Sequence, residues 1–364
     1  MIEHTPLDEL SPAAQKALGP GPARMMAARG MAPLAPADQV AVLYQLVIEG
    51  DATAKATLVG LPDKILAGAL GDPKLDSRIL DLFAQHVGER PPVFEVLVQN
   101  PAIADETIAD LAARLGGREI DRIATNEQRL LRHPEIISAM YLNKAARMST
   151  VDRVVELAVR NHVRVPGLAA WDEIARALQT EKPATTEQDH LFSVAAAATT
   201  GDDAPLTQGD AEQARDDFED KDFLEQTKDV PIEKLTVPAK IRLAQLGNAF
   251  ARAVLIRDPM RLVCIAAIKS SRVTEFEAAG YAGNPQLAEE VIRHIASKRE
   301  WTKLYGTKYA LCRNPKTPIP DAMRLLPFLR EKDIQRLAKS KGVPSAVVAQ
   351  ARKLLMQRSG GAKK

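Results

Sequence analysis

The feature that most constrains this chain is a recurring dipeptide placed ahead of apolar runs. Asn100-Pro101, Asp258-Pro259, Asn284-Pro285 and Asn314-Pro315 each precede such a run. An Asn or Asp side chain can accept the orphan N–H groups of a helix start. A following proline has no N–H to leave unpaired, and its φ suits a helix. Each dipeptide therefore reads as an N-cap, with Thr317 and Pro318 as an alternative start in the last copy. Pro259, Pro285, Pro315 and Pro344 are spaced 26, 30 and 29 residues apart, the length of one helical hairpin.

The residues between these signals keep helical spacing. Ile108, Leu111, Ala112 and Leu115 share one face, as do Ile136, Ile137, Met140 and Tyr141, and Leu287, Val291, Ile292 and Ile295. Ser149 and Asp152 resemble a capping box ahead of Val154 and Val155. No alternating strand run bounded by hairpin turns occurs. Aromatics make up only 4% of the chain, so the core must come from small aliphatic side chains, which suits helices. The expected class is all-α, with helical-repeat (α-solenoid) arrays.

Charge divides the chain. Residues 231–364 hold 26 Lys+Arg against 10 Asp+Glu, whereas residues 1–230 hold 23 against 37. Within the acidic part, 180–229 carries 4 basic and 14 acidic residues and few large apolar ones, Phe218, Phe223 and Leu224 among them. That composition reads as a disordered acidic linker. The expected organisation is a helical-repeat domain at 1–179, the linker at 180–229, a basic repeat domain at 230–358 and a disordered tail at 359–364.

CRNPKTPIPDAMRLLPFL (312–329) resembles one unit of the bacterial leucine-rich repeat variant, a short all-helical repeat related in shape to HEAT arrays. GNPQLAEEVIRHIA (283–296) and QNPAIADETIADLAARL (99–115) look like divergent copies. The resemblance covers most of 255–358 and, more loosely, 55–178. It implies binding surfaces rather than a reaction. Some proteins with this repeat hold a cysteine-ligated iron–sulfur cluster. With only Cys264 and Cys312, both reading as small core residues, this chain lacks that ligand set.

Enzymatic signatures are missing from the sequence. The six histidines form no HExxH pair, no phosphate-cradling glycine motif occurs, and Glu289-Glu290 reads as a solvated helix face. No metal or cofactor is expected. The N-terminus lacks a basic start with an apolar run, no apolar stretch approaches 18 residues, and two cysteines fit a reducing compartment. A cytoplasmic protein without membrane insertion is therefore expected.

Two basic segments remain as candidate sites. In SKREWTKLYGTKYALCRNPK, the cations Lys298, Arg299, Lys303, Lys308, Arg313 and Lys316 interleave with Trp301, Tyr305 and Tyr309. Cations with aromatic anchors suit an acidic protein partner, and equally suit single-stranded nucleic acid, where rings stack on bases. A packing role between repeats is the bland alternative for Trp301 and Tyr305. Further on, Lys339 and Lys341 lie in a pattern over 333–355 in which Ala338, Gly342, Val343 and Val348 match a DNA-binding helix-turn-helix. The same pattern fits a final repeat, because Pro344 keeps the repeat spacing. The expected function is a non-catalytic scaffold or adaptor binding protein partners through the basic C-terminal array. A nucleic-acid-binding protein is the rival, and a base-excision enzyme on a helical frame a weaker one.

Overall fold

The computed structural model of the protein describes residues 10–180, 184–199 and 230–361. The described residues contain 23 α-helices and no strand. Most helices have between 7 and 13 residues, too short to hold alone in water, so their apolar faces must supply the stability. The described residues form two compact units. One comprises those up to Ala146 together with Arg160–Pro166. The other comprises Arg147–Val159 together with those from Gly167 onward.

The first unit begins with α1 (Pro12–Leu18), α2 (Pro22–Ala28), α3 (Pro36–Ile48), α4 (Ala52–Gly60) and α5 (Asp63–Leu70). It continues with α6 (Ser77–Val87), α7 (Pro91–Gln99), α8 (Asp105–Arg114), α9 (Gly117–Ile123), α10 (Glu127–Arg132) and α11 (Glu135–Leu142). Packing skips one helix at a time: α3 touches α5, α5 touches α7, and α6 touches α8. Successive hairpins thus lie against one another. The faces foreseen from spacing are all inward, with Ile108, Leu111, Ile136, Ile137 and Met140 fully buried.

The second unit contains α12 (Met148–Arg160, less its last residue), α13 (Trp171–Thr180), α14 (Thr186–Ala198), α15 (Val237–Leu246), α16 (Ala249–Leu255) and α17 (Arg261–Lys269). Then come α18 (Glu275–Gly283), α19 (Glu289–Ser297), α20 (Tyr305–Arg313), α21 (Ile319–Leu325), α22 (Glu331–Lys339) and α23 (Ser345–Gly361). The alternating contacts recur, α15 with α17, α17 with α19, and α18 with α20.

Five sequence expectations need correction. The linker does not begin at 180, because residues 186–198 form α14. Its Phe192, Ala195 and Ala196 fall at i, i+3, i+4 and are buried against α15, and Arg242 covers the Phe192 ring at 4.6 Å. The rest of the expected linker, 181–183 and 200–229, lies outside the described residues. The boundary at 179 also moves: α13 packs on α15 and α17, and Glu173 binds Lys269 at 2.8 Å, so the second unit starts earlier. The tail expected from 359 is helical through Gly361, with 362–364 outside the described residues. Ser149 does not cap, since α12 begins before it. Its N–H and hydroxyl go instead to the Asp189 carboxylate, at 2.8 and 2.7 Å.

The fifth correction concerns the dipeptides. Asn100, Asn284 and Asn314 end the preceding helix rather than start the next, and the following helix opens five residues later. Each asparagine accepts, through Oδ1, the N–H two residues on, at 2.8–2.9 Å. In Asn100 and Asn314 the amide NH2 also reaches back one hairpin. Asn100 donates to the carbonyls of Leu70 and Asp72 at 2.7 and 3.0 Å, and Asn314 to those of Ala282 and Asn284 at 2.9 and 3.1 Å. Asn143, which no proline follows, does the same to Ala112 and Leu115 at 2.8 and 2.9 Å. A helix end leaves several carbonyls without partners, and one amide here fills two of them. The turn then buries its fourth residue: Leu75, Ile103, Ala146, Val273, Leu287, Thr317 and Val343 all point inward.

Candidate partner-binding surface

Basic side chains do two different jobs in this fold. One set closes helix C-termini from the next hairpin. Arg90 donates to the Leu61 carbonyl at 2.8 Å, Arg114 to Ala84, Arg272 to Leu246 at 2.7 Å, Arg324 to Ala296 at 3.0 Å and Arg358 to Pro327 at 2.7 Å. These arginine links span 26 to 31 residues, one hairpin, and set a cation where the helix dipole favours it. Lys316, a candidate site residue, also reaches back one hairpin, but to the turn before α19, where its Nζ donates to the carbonyls of Gln286 and Leu287 at 3.2 and 2.7 Å. Gly247 shows how tight such an end can be. Its carbonyl accepts from both Arg252 and Arg272, and a Cβ there would lie 2.6 Å from that of Ala251.

The second set is free. Lys298, Arg299, Lys303, Arg313, Lys339 and Lys341 are exposed, and among the described residues none has a carboxylate within ion-pair distance. Over 298–341 there are 12 Lys+Arg and 4 Asp+Glu. The two ion pairs found there, Arg324–Asp321 and Arg336–Asp333, each lie within a single helix.

The aromatic members are engaged by the fold. Trp301 sits in a short 3-10 turn, Trp301–Lys303, and is only 9% exposed. The His294 ring meets it edge-on with centroids 5.8 Å apart, and Lys298 Nζ lies 5.7 Å from its centre. Tyr305 donates its hydroxyl proton to the Asp333 carboxylate and accepts the Arg330 N–H at 3.0 Å, while the Arg330 guanidinium lies 4.6 Å over its ring. Burial and the Asp333 bond both hold the Tyr305 phenol above its usual range. Burial, and next the charge of Lys298, holds His294 below the usual histidine range.

One residue of this surface was missed. Phe328 ends the 3-10 turn Leu326–Phe328 and is 65% exposed, with Lys308 Nζ 5.7 Å above its ring. Its two leucine neighbours are buried, Leu326 fully and Leu329 at 3%. The signal was available in the run LLPFL, where a proline breaks the helical face and turns one large residue outward.

The helix-turn-helix candidate has the geometry of the other hairpins. Ser340 ends α22, Val343 is buried as Leu287 is, and α23 packs back on α22. Both thiols are interior, Cys264 pushed up to about 11 and Cys312 to about 12 by burial. Among the described residues no cluster of His, Cys, Asp and Glu could hold a metal, and no helix is long and apolar enough to cross a membrane. A cavity of about 230 Å³ in the first unit is lined by Pro91, Pro92, Phe94, Glu95, Arg118 and Glu119, and its Glu95 is tied to Arg122 at 3.1 Å. Comparison with protein families, curated proteins and solved structures finds no match to this chain.

Proposed function

We propose that this protein is a non-catalytic scaffold of the cytoplasm, built from leucine-rich-repeat-variant-like helical arrays, that binds an acidic protein partner through its C-terminal basic surface. The observation that carries the reading is a local excess of charge. Exposed cations without a carboxylate partner occur elsewhere too, Lys55, Lys64 and Arg118 among them, but between 298 and 341 eight of the 12 Lys+Arg are of this kind, beside only 4 Asp+Glu. Unpaired like charges repel one another and weaken the folded state, so a run of them on one segment is best explained by a ligand of opposite sign.

A protein ligand fits better than single-stranded nucleic acid. Stacking successive bases needs several open ring faces, whereas Trp301 is buried, Tyr305 is covered by Arg330 and, of these three rings, Phe328 alone is open. The reading is tested by capture from a lysate on immobilised protein, with and without nuclease. The proposal expects the same defined acidic proteins under both conditions. Recovery that depends on nucleic acid would favour the rival reading.

A further inference from the structure

Phe328 and its neighbours form a patch with a definite chemistry. Tyr305 and Lys308 lie one turn apart on α20, and Phe328 and Arg330 lie two apart in the turn before α22. Lys308 covers Phe328 and Arg330 covers Tyr305, so two cation–ring pairs sit side by side, with one ring largely open to solvent. A ligand matched to this patch carries carboxylates spaced around aromatic side chains.

The chain contains such a stretch. Residues 216–225, DDFEDKDFLE, hold six acidic residues, one lysine, Phe218 and Phe223. We propose that residues 216–225 of this chain dock on the Lys308–Phe328–Arg330 patch, Phe218 against Phe328 and the carboxylates around it against Lys308 and Arg330. The stretch lies between Thr199 and Val230, both in the second unit. Phe218 is 12 residues from Val230, a tether of up to ~40 Å when extended. From α15 through α17, α19 and α18 to α20 is four helix-to-helix steps of 8–10 Å, a path of ~32–40 Å that bounds the straight-line distance from above. The tether therefore reaches the patch. An outside acidic partner competes with residues 216–225 for the same cations. This inference shares its surface with the proposed function but does not require that an outside partner exist.

Chymotrypsin cleavage after Phe218 and Phe223 in the full chain tests it, with a free peptide of residues 210–229 as the standard. Tethering gives an effective concentration on the order of 1 mM; a contact with a Kd on the order of 0.1 mM is then ~90% occupied, and cleavage slows by about tenfold. At low salt the in-chain sites should be cut about that much more slowly than the peptide. Phe328→Ser and, separately, Lys308→Glu should bring the rates together, as should molar salt. Cleavage at buried Phe83 and Phe192 reports any unfolding of a variant separately. In-chain rates equal to the peptide's at low salt, or rates unchanged in both variants, would overturn docking while leaving capture of an outside protein unaffected.

Discussion

The hairpins of the first unit and the last hairpins of the second use charge in opposite ways. In the first unit, ion pairs stitch neighbouring hairpins together. Arg24–Glu49, Arg90–Asp63, Arg114–Glu89, Arg122–Glu95 and Arg132–Asp105 all join residues 25 to 27 apart. Past residue 298, described pairs of that kind are missing, although the helix ends are closed by the same devices. The two stretches share a backbone plan and differ in whether ion pairs join their hairpins. Charge that the fold does not neutralise is charge available to a ligand, and the total charge of a region does not reveal how much of it that is.

The largest effect that sharpens this contrast is a change where a charge is both buried and paired. Arg252 is fully buried, binds Glu277 through two bonds of 3.0 and 2.9 Å, and Glu277 also accepts the Tyr281 hydroxyl at 2.7 Å. Glu277→Leu should cost about 3–5 kcal/mol of stability in denaturant titration, because it strands the guanidinium. A loss below about 1 kcal/mol would remove this pair from the account.

Next in size are the asparagines shared by both units. Asn143→Ala and Asn314→Ala each leave two helix-end carbonyls unpaired, and each should cost about 2–3 kcal/mol, by equal amounts within error. A large cost in one unit and none in the other would break the claim of a common backbone plan. Smaller again is the exposed charge itself. Arg132→Glu, which breaks the bidentate bond to Asp105 at 2.7 Å, should lower the denaturation midpoint at low salt and lose that effect in high salt. Lys303→Glu and Lys339→Glu should stay within about 0.5 kcal/mol of the parent or stabilise it, since they relieve repulsion.

The smallest effect is a pH dependence at Trp301. Burial lowers the folded-state pKa of His294 below the ordinary histidine value of 6.5, so the unfolded chain takes up the proton first. The stability held above pH 6.5 is lost as pH falls through the folded-state value. Lys298 and Lys269 oppose the imidazolium and Glu173 favours it. His294→Gln should leave the melting temperature flatter between pH 7 and 5 than the parent's. An identical slope in both would exclude His294 as the cause.

How much of this was legible in the sequence depends on what each residue had to satisfy. Helical class and inward faces followed from periodicity, because burial of Ile108, Leu111 or Ile137 is a local demand. The spacing of the Asn-Pro dipeptides was legible too, but their role was inverted. An asparagine can cap either end of a helix, and only the carbonyls 28 to 32 residues earlier decide which. Helix α14 was missed because its acids outweighed a sparse stripe of Phe192, Ala195 and Ala196 whose partner, Arg242, lies far along the chain. In the candidate surface, the exposed cations were found. That Lys316 ties down the preceding turn, that Tyr305 is held by Asp333 and Arg330, and that Phe328 faces outward all depend on contacts across hairpins.

The central claim is that the cations of 298–341 serve a ligand rather than the fold. It is tested most directly by combining Arg299→Glu, Lys303→Glu, Lys339→Glu and Lys341→Glu in the full chain. Melting temperature and nuclease-treated capture are then measured side by side. The account predicts a melting temperature equal to or above the parent's, together with loss of the acidic proteins that the parent retains. An unchanged set of captured proteins, or a variant that unfolds at markedly lower temperature, would contradict it.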